Sequence, residues 1–160
     1  MTKRLENLTE NTLVEKIKYL EEQLKDMKTL QTVGSESWLQ VSSQWQWNWT
    51  SNTSYTSLVP SRGVIDFDTW MNYSMYFECL MFTDGGTGYL RLYNETDSTE
   101  FTGSELTTTT VGESNAVLVR SSKLTKPTGA KTIKVQGKRV GGSGNVNCMV
   151  ARVVMKIEVS

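Results

Sequence analysis

Tyr73-Ser74-Met75-Tyr76-Phe77-Glu78-Cys79-Leu80-Met81-Phe82, then Asp84-Gly85-Gly86, then Tyr89-Leu90-Arg91-Leu92-Tyr93, is the stretch that decides the fold class. Aromatic and branched residues alternate over both arms, and Asp-Gly-Gly between them reads as the turn of a β-hairpin. The same pattern continues outward in both directions. Upstream, Trp38-Leu39-Gln40-Val41 opens a strand and Trp45-Gln46-Trp47-Asn48-Trp49 follows it. Thr50 to Ser57 is a polar loop, closed by Leu58-Val59-Pro60. Downstream, Asn94-Glu95-Thr96-Asp97 turns the chain, and Ala116–Arg120, Lys131–Lys138 and Val146–Val159 supply further strands. Pro127-Thr128-Gly129 and Gly141-Gly142-Ser143-Gly144 are the intervening loops. Roughly eight short strands with closely spaced turns predict a mainly β protein, an antiparallel β-sandwich or jelly-roll-like head.

Before Val33-Gly34-Ser35 the periodicity changes. Leu13, Ile17, Leu20, Leu24 and Met27 recur at alternating spacings of four and three, the a/d seam of an α-helical coiled coil. Thr12 and Glu15 fit a capping box at its start. Lys16 at a g position can meet Glu21 at an e position of a neighbouring chain. The expected organisation is a coiled-coil stem over residues 1–33 and a β head over 34–160, with the five seam residues as the oligomerisation surface. About two heptads are too few to hold chains together alone. An amphipathic helix lying on its own head is the alternative.

Lys plus Arg number 17 and Asp plus Glu number 17, spread along the chain. Nucleic acid or an anionic membrane as main partner needs a concentrated cationic surface, so neither is expected. No apolar run is long enough to span a bilayer, and the charged N-terminus lacks the apolar stretch of a secretory signal. Histidine is absent. That removes Ser-His-Asp and Cys-His catalysis and His-based zinc sites, so no cofactor, metal or catalytic residue is expected. Cys79 and Cys148 both fall in strand-like segments; buried free thiols or a cross-strand disulfide are both compatible with that.

Tyr89 to Asp97, Gly103-Ser104-Glu105-Leu106, Val119 to Ser122, Lys131 to Gln136 and Ala151 to Val154 resemble β-sandwich modules in virus and phage tail or fibre proteins. The resemblance covers residues 73–159. It implies a non-enzymatic structural or attachment protein of a virion, made in the host cytoplasm. The head would contact other virion proteins or a host-surface glycan or protein, and the chain would be a homo-oligomer, a trimer by analogy with viral fibres.

The tryptophans of 45–49 offer the clearest candidate ligand site. Residues two apart in a strand share a face, so Trp45, Trp47 and Trp49 form a row of indoles. The row could be buried core, a contact between head protomers, or a stacking platform for sugar rings. Trp70 and Tyr73 could join any of these. The last reading makes the protein a carbohydrate-binding module. Asp66 and Asp68, on one face if that segment is extended, are the pair a small glycan-cleaving enzyme would use; with Asp84 they could instead hold calcium. Solvated turn carboxylates are the simpler account. Acceptor sequons stand at Asn7, Asn48, Asn52, Asn72 and Asn94, as expected of an Asn/Thr-rich surface.

Overall fold

Ten strands pack as two five-stranded antiparallel sheets in a computed structural model that describes residues 16–18, 20–21, 36–41, 48–70 and 72–157. The strands are β1 (Glu36–Gln40), β2 (Asn48–Thr50), β3 (Thr56–Asp66), β4 (Tyr73–Thr83), β5 (Thr87–Asn94), β6 (Thr99–Glu100), β7 (Leu106–Thr108), β8 (Val117–Arg120), β9 (Ala130–Val140) and β10 (Val146–Ile157). The first sheet runs β1-β10-β4-β8, with β2 also on β10; the second runs β3-β9-β5-β6, with β7 on β5. The chain divides into two compact units at Ser35/Glu36. In the N-terminal unit Lys16–Lys18 and Leu20–Glu21 are helical, and Ile17 and Leu20 are exposed. Leu13, Leu24 and Met27 lie outside the described residues.

Period-two alternation builds the core. On β4 the odd positions Met75, Phe77, Cys79 and Met81 point inward and are fully buried; on β5 the inward residues are Leu90 and Leu92, on β9 Ile133 and Val135. On β10 a bulge between Cys148 and Val150 inserts one extra residue. It lets Cys148 and Ala151, an odd number of residues apart, both face inward. Phe67 and Phe101, rings 6.4 Å apart, plug one end of the sandwich with Leu124.

One expected pairing is corrected. β4 and β5 do not form a hairpin, because they belong to different sheets and Asp84-Gly85-Gly86 carries the chain across the core. The reason is the partner turn. The β9–β10 connection makes the same crossing, and the two turns lock together. Asp84 accepts hydrogen bonds from the Asn145 backbone and side chain at 3.1 and 3.0 Å and from Asn147 at 3.2 Å. Gly86, at φ 76°, sits so close to Gly141 that a Cβ would lie 2.1 Å from its carbonyl oxygen. Only glycine permits that approach.

Cys79 and Cys148 are free thiols with Sγ atoms 3.1 Å apart, both fully buried between β4 and β10. Burial first, then the neighbouring Cys148, pushes the Cys79 thiol well above its ordinary range. A core of this size needs no covalent staple. Reductant should therefore leave the melting temperature unchanged, and replacing both cysteines by Ala should cost no more than about 3 kcal/mol. A melting temperature that falls on reduction would reveal a stabilising disulfide instead.

Candidate functional site

The outer faces of the two sheets differ in what they leave open. On the second sheet the outward residues of β5 are Tyr89, Arg91 and Tyr93, set against Lys134, Gln136 and Lys138 of β9. Each tyrosine there is covered by a cation of the protein itself. Lys138 Nζ lies 4.7 Å from the Tyr89 ring, Lys134 Nζ lies 5.2 Å from Tyr93, and Arg91 and Lys138 lie 3.8 and 4.4 Å from Tyr55. The Tyr55 hydroxyl donates to Glu105, and burial together with that carboxylate pushes its pKa up. These rings are engaged internally.

The first sheet's outer face carries a charged lattice over its centre and indoles at its edge. Register places Gln40, Arg152, Glu78 and Arg120 in one transverse row across β1, β10, β4 and β8. Glu78, with a side chain only 3 % exposed, accepts from Arg120 Nε at 2.7 Å and from Arg152. Such a buried carboxylate is tolerable only because both its oxygens are paired. Arg120 reaches on to Glu36 of β1, bonding its two oxygens at 2.6 and 2.9 Å. To do so it spans β4 and β10, passing 6.0 Å from the Tyr76 ring.

Hydrogen bonding to Arg120 holds the Glu36 carboxyl below the usual carboxylate range, opposed by partial burial. A depressed acid contributes stability that is present above its unfolded pKa and lost as pH falls through the folded one. Acidification from about pH 5 to about pH 3 should therefore loosen the β1 edge. Melting curves should show wild type losing more stability over that interval than Glu36→Gln; equal losses would mean the Arg120 bridge contributes nothing.

Arg152 also positions an aromatic residue. Its guanidinium, fixed by Glu78, lies 4.5 Å from the Trp38 ring centroid, yet Trp38 is 59 % exposed. The indole rests on the cation and presents the remainder of its surface to solvent. Trp49 on β2, opposite Asn147, is 58 % exposed on the same sheet face. Trp38 stands opposite Val154, so the two indoles are separated by roughly 20 Å along β10.

Of the row expected at 45–49, Trp45 and Trp47 lie outside the described residues. Trp49 is not a core residue: its neighbour Thr50 takes the inward position, packed near Gly137. Trp38, in the sequence no more than the opening of a strand, has the better-built surroundings. The signal was its alternation with Leu39 and Val41, which pack inward. Trp70 and Tyr73 pack edge to face at 5.0 Å at the start of β4, against the core and not on the outer face with these indoles.

Asp66 and Asp68 do not share a strand face, because β3 ends at Asp66 and a 3-10 turn spans Phe67–Trp70. The Asp66 carboxylate accepts the Asp68 N–H at 3.1 Å, starting that turn, and Asp68 accepts the Gly129 N–H at 2.8 Å. Asp84 likewise locks the crossing turns. Among the described residues no cluster of three or more Cys, Asp or Glu side chains is placed to hold a metal ion. Nor is any helix there long and apolar enough to cross a membrane. Of the sequons, Asn52 and Asn72 are exposed, whereas Asn94 is buried and bonds Asp97, which makes it a poor acceptor.

No protein-family model and no curated protein matches this chain. Among solved structures it is similar to the CBM36-1 domain of a multidomain xylanase from the hindgut metagenome of Trinervitermes trinervoides, at 9 % identity and a TM-score of 0.47, over 76 % of this chain and 96 % of that one.

Proposed function

We propose that the β-sandwich is a non-catalytic glycan-binding module, with Trp38 and Trp49 stacking on sugar rings of one extended chain. The observation that supports this reading is the Trp38 indole, held by Arg152 and Glu78 yet mostly open to water. An apolar ring fixed in place at the surface suits the C–H faces of a pyranose, since little side-chain entropy remains to be lost on binding. Two such indoles on one sheet face suit a polymer better than a single sugar. Retention on immobilised polysaccharides and a glycan array is the direct experiment. Binding to at least one glycan class is expected; a flat array together with no retention on any polysaccharide would overturn the proposal.

A second reading, assembly through the stem, is favoured by the exposure of Ile17 and Leu20 on the helix. In this proposal the chain is a homo-oligomer, a trimer by analogy, in which a jelly-roll-like head is carried on a coiled-coil stem. The setting implied by the viral resemblance is attachment of a virion to a host-surface glycan. Weak head sites on one stem would gain avidity from effective concentration. Sedimentation should show an oligomer at micromolar protein that Ile17→Asp dissociates; a monomeric wild type would remove this reading while leaving the glycan site untouched.

A further inference from the structure

We infer that the free edge of β8 is an interaction surface whose partner is the same edge of a second copy of this chain, paired antiparallel about a two-fold axis at Leu118. Among the described residues β8 pairs only with β4 and ends the first sheet. The Phe77 carbonyl accepts the Ser121 N–H, which fixes the alternation of the ladder. Val117 and Val119 therefore exchange backbone hydrogen bonds with Met81 and Cys79, while the N–H and C=O of Leu118 and Arg120 point away from β4. Leu118 is 56 % exposed, and Val111, bridged to Thr83 farther along β4, is 54 % exposed. Exposed strand edges are ordinarily blunted by charge, by shortness or by a cover. The β3 edge carries Arg62 and Asp66, and β6 and β7 have only two and three residues. β1 is met by β3, its Gln40 carbonyl lying 3.6 Å from the place of a Gly63 Cβ. The run Ala116-Val117-Leu118-Val119 holds no charge, and Arg120 is turned across the sheet onto Glu78 and Glu36.

Register and charge both favour a second copy as the occupant. Centred on Leu118, two antiparallel β8 strands make a hydrogen-bonded pair of the two Leu118 residues, each N–H donating to the other's carbonyl. That register keeps outward side chains opposite outward ones, so the two exposed leucines cover each other on one face. The ends of β8 carry opposite charges, Glu113 in the 3-10 turn before it and Lys123 after it, both exposed. Antiparallel pairing sets each acidic end beside a basic one, whereas parallel pairing would set like beside like. Two five-stranded sheets then become one of ten strands, with the outer faces of both copies on the same side. On the glycan reading this presents Trp38 and Trp49 of both copies to one polymer and adds avidity. The edge itself does not depend on that reading. A strand pair this short buries less than the about 1,200 Å² of a standard interface, so the contact is weak on its own.

The test is sedimentation equilibrium of the full chain carrying Ile17→Asp, which silences the stem seam, at concentrations from about 10 μM to about 1 mM. A reversible monomer–dimer equilibrium is expected. Leu118→Lys sets two ammonium groups opposite each other at the axis and should weaken the dimer about ten-fold or more. As a substitution at an exposed position it should change the melting temperature little. Leu118→Pro removes the edge N–H while sparing the β4 ladder and should weaken the dimer likewise. Under oxidised glutathione, Leu118→Cys should give a covalent dimer, since the paired Cα atoms stand at about 5.5 Å. Val140→Cys, 48 % exposed on β9, should not. A chain that stays monomeric throughout, leaving the edge to a strand of some other protein, overturns the inference. So does a dimer that survives both the Lys and the Pro substitution, or equal cross-linking at the two cysteine positions. None of these outcomes bears on glycan retention, so the indole reading stands or falls separately.

Discussion

Replacing Phe77 by alanine should lower the unfolding free energy by about 3–5 kcal/mol, the usual cost of removing a buried aromatic ring. Phe77 is fully buried on the inner face of β4, opposite Val153 of β10 and beside the plane of Met75 and Cys79. Its backbone N–H and carbonyl are also tied to Ser121, the N–H to the hydroxyl at 2.9 Å and the carbonyl to the N–H at 2.8 Å. The strand therefore cannot shift to fill the space, and the cavity cost stays near the upper end of that range. Chemical denaturation with an unchanged m-value is the measurement. A loss under about 1 kcal/mol would mean that β4 is not the central strand of the core.

Replacing both Trp38 and Trp49 by alanine should abolish glycan retention while leaving the fold nearly intact. Both rings are more than half exposed, so little buried area is lost. The cation–π contact between Arg152 and Trp38 contributes only about 0.5–1 kcal/mol at such a site. Each lost stacking surface, by contrast, sits where the proposed ligand would be desolvated, and hot-spot aromatics cost about 2 kcal/mol or more when truncated. Two together place a micromolar interaction beyond detection. Affinity electrophoresis in polysaccharide gels, run beside melting curves, separates the two effects. Retained binding would assign the ligand to another surface; a collapsed melting temperature would make the indoles structural.

The sandwich was legible in the sequence because its main strands keep apolar side chains at every second position, interrupted on β10 by the bulge between Cys148 and Val150. Tyr73–Phe82, Tyr89–Tyr93 and the C-terminal run from Val146 each put apolar side chains on one face, and each became a central strand. What local pattern could not show was which strands pair. Asp84-Gly85-Gly86 has hairpin chemistry, but its geometry is set by contact with the glycines of the β9–β10 turn, more than fifty residues away. The carboxylates misled for a related reason: Asp66 and Asp68 alternate as strand residues would, but the Asp66 side chain bonds the backbone and ends the strand. The indole site was half legible. The Trp-rich segment drew attention to Trp49, whereas Trp38 owes its fixed position to Arg152 and Glu78, residues distant in sequence and adjacent only through sheet register.

The measurement that bears most directly on the glycan-binding claim is a titration of the indole N–H resonances of the five tryptophans, assigned by single replacements, with oligosaccharides of the best-retained polysaccharide. The indole-face account predicts that the Trp38 and Trp49 signals shift together and saturate at one ligand concentration, while backbone signals of Phe77 and Val153 in the core stay in place. Saturable binding that leaves both indoles unmoved would contradict it.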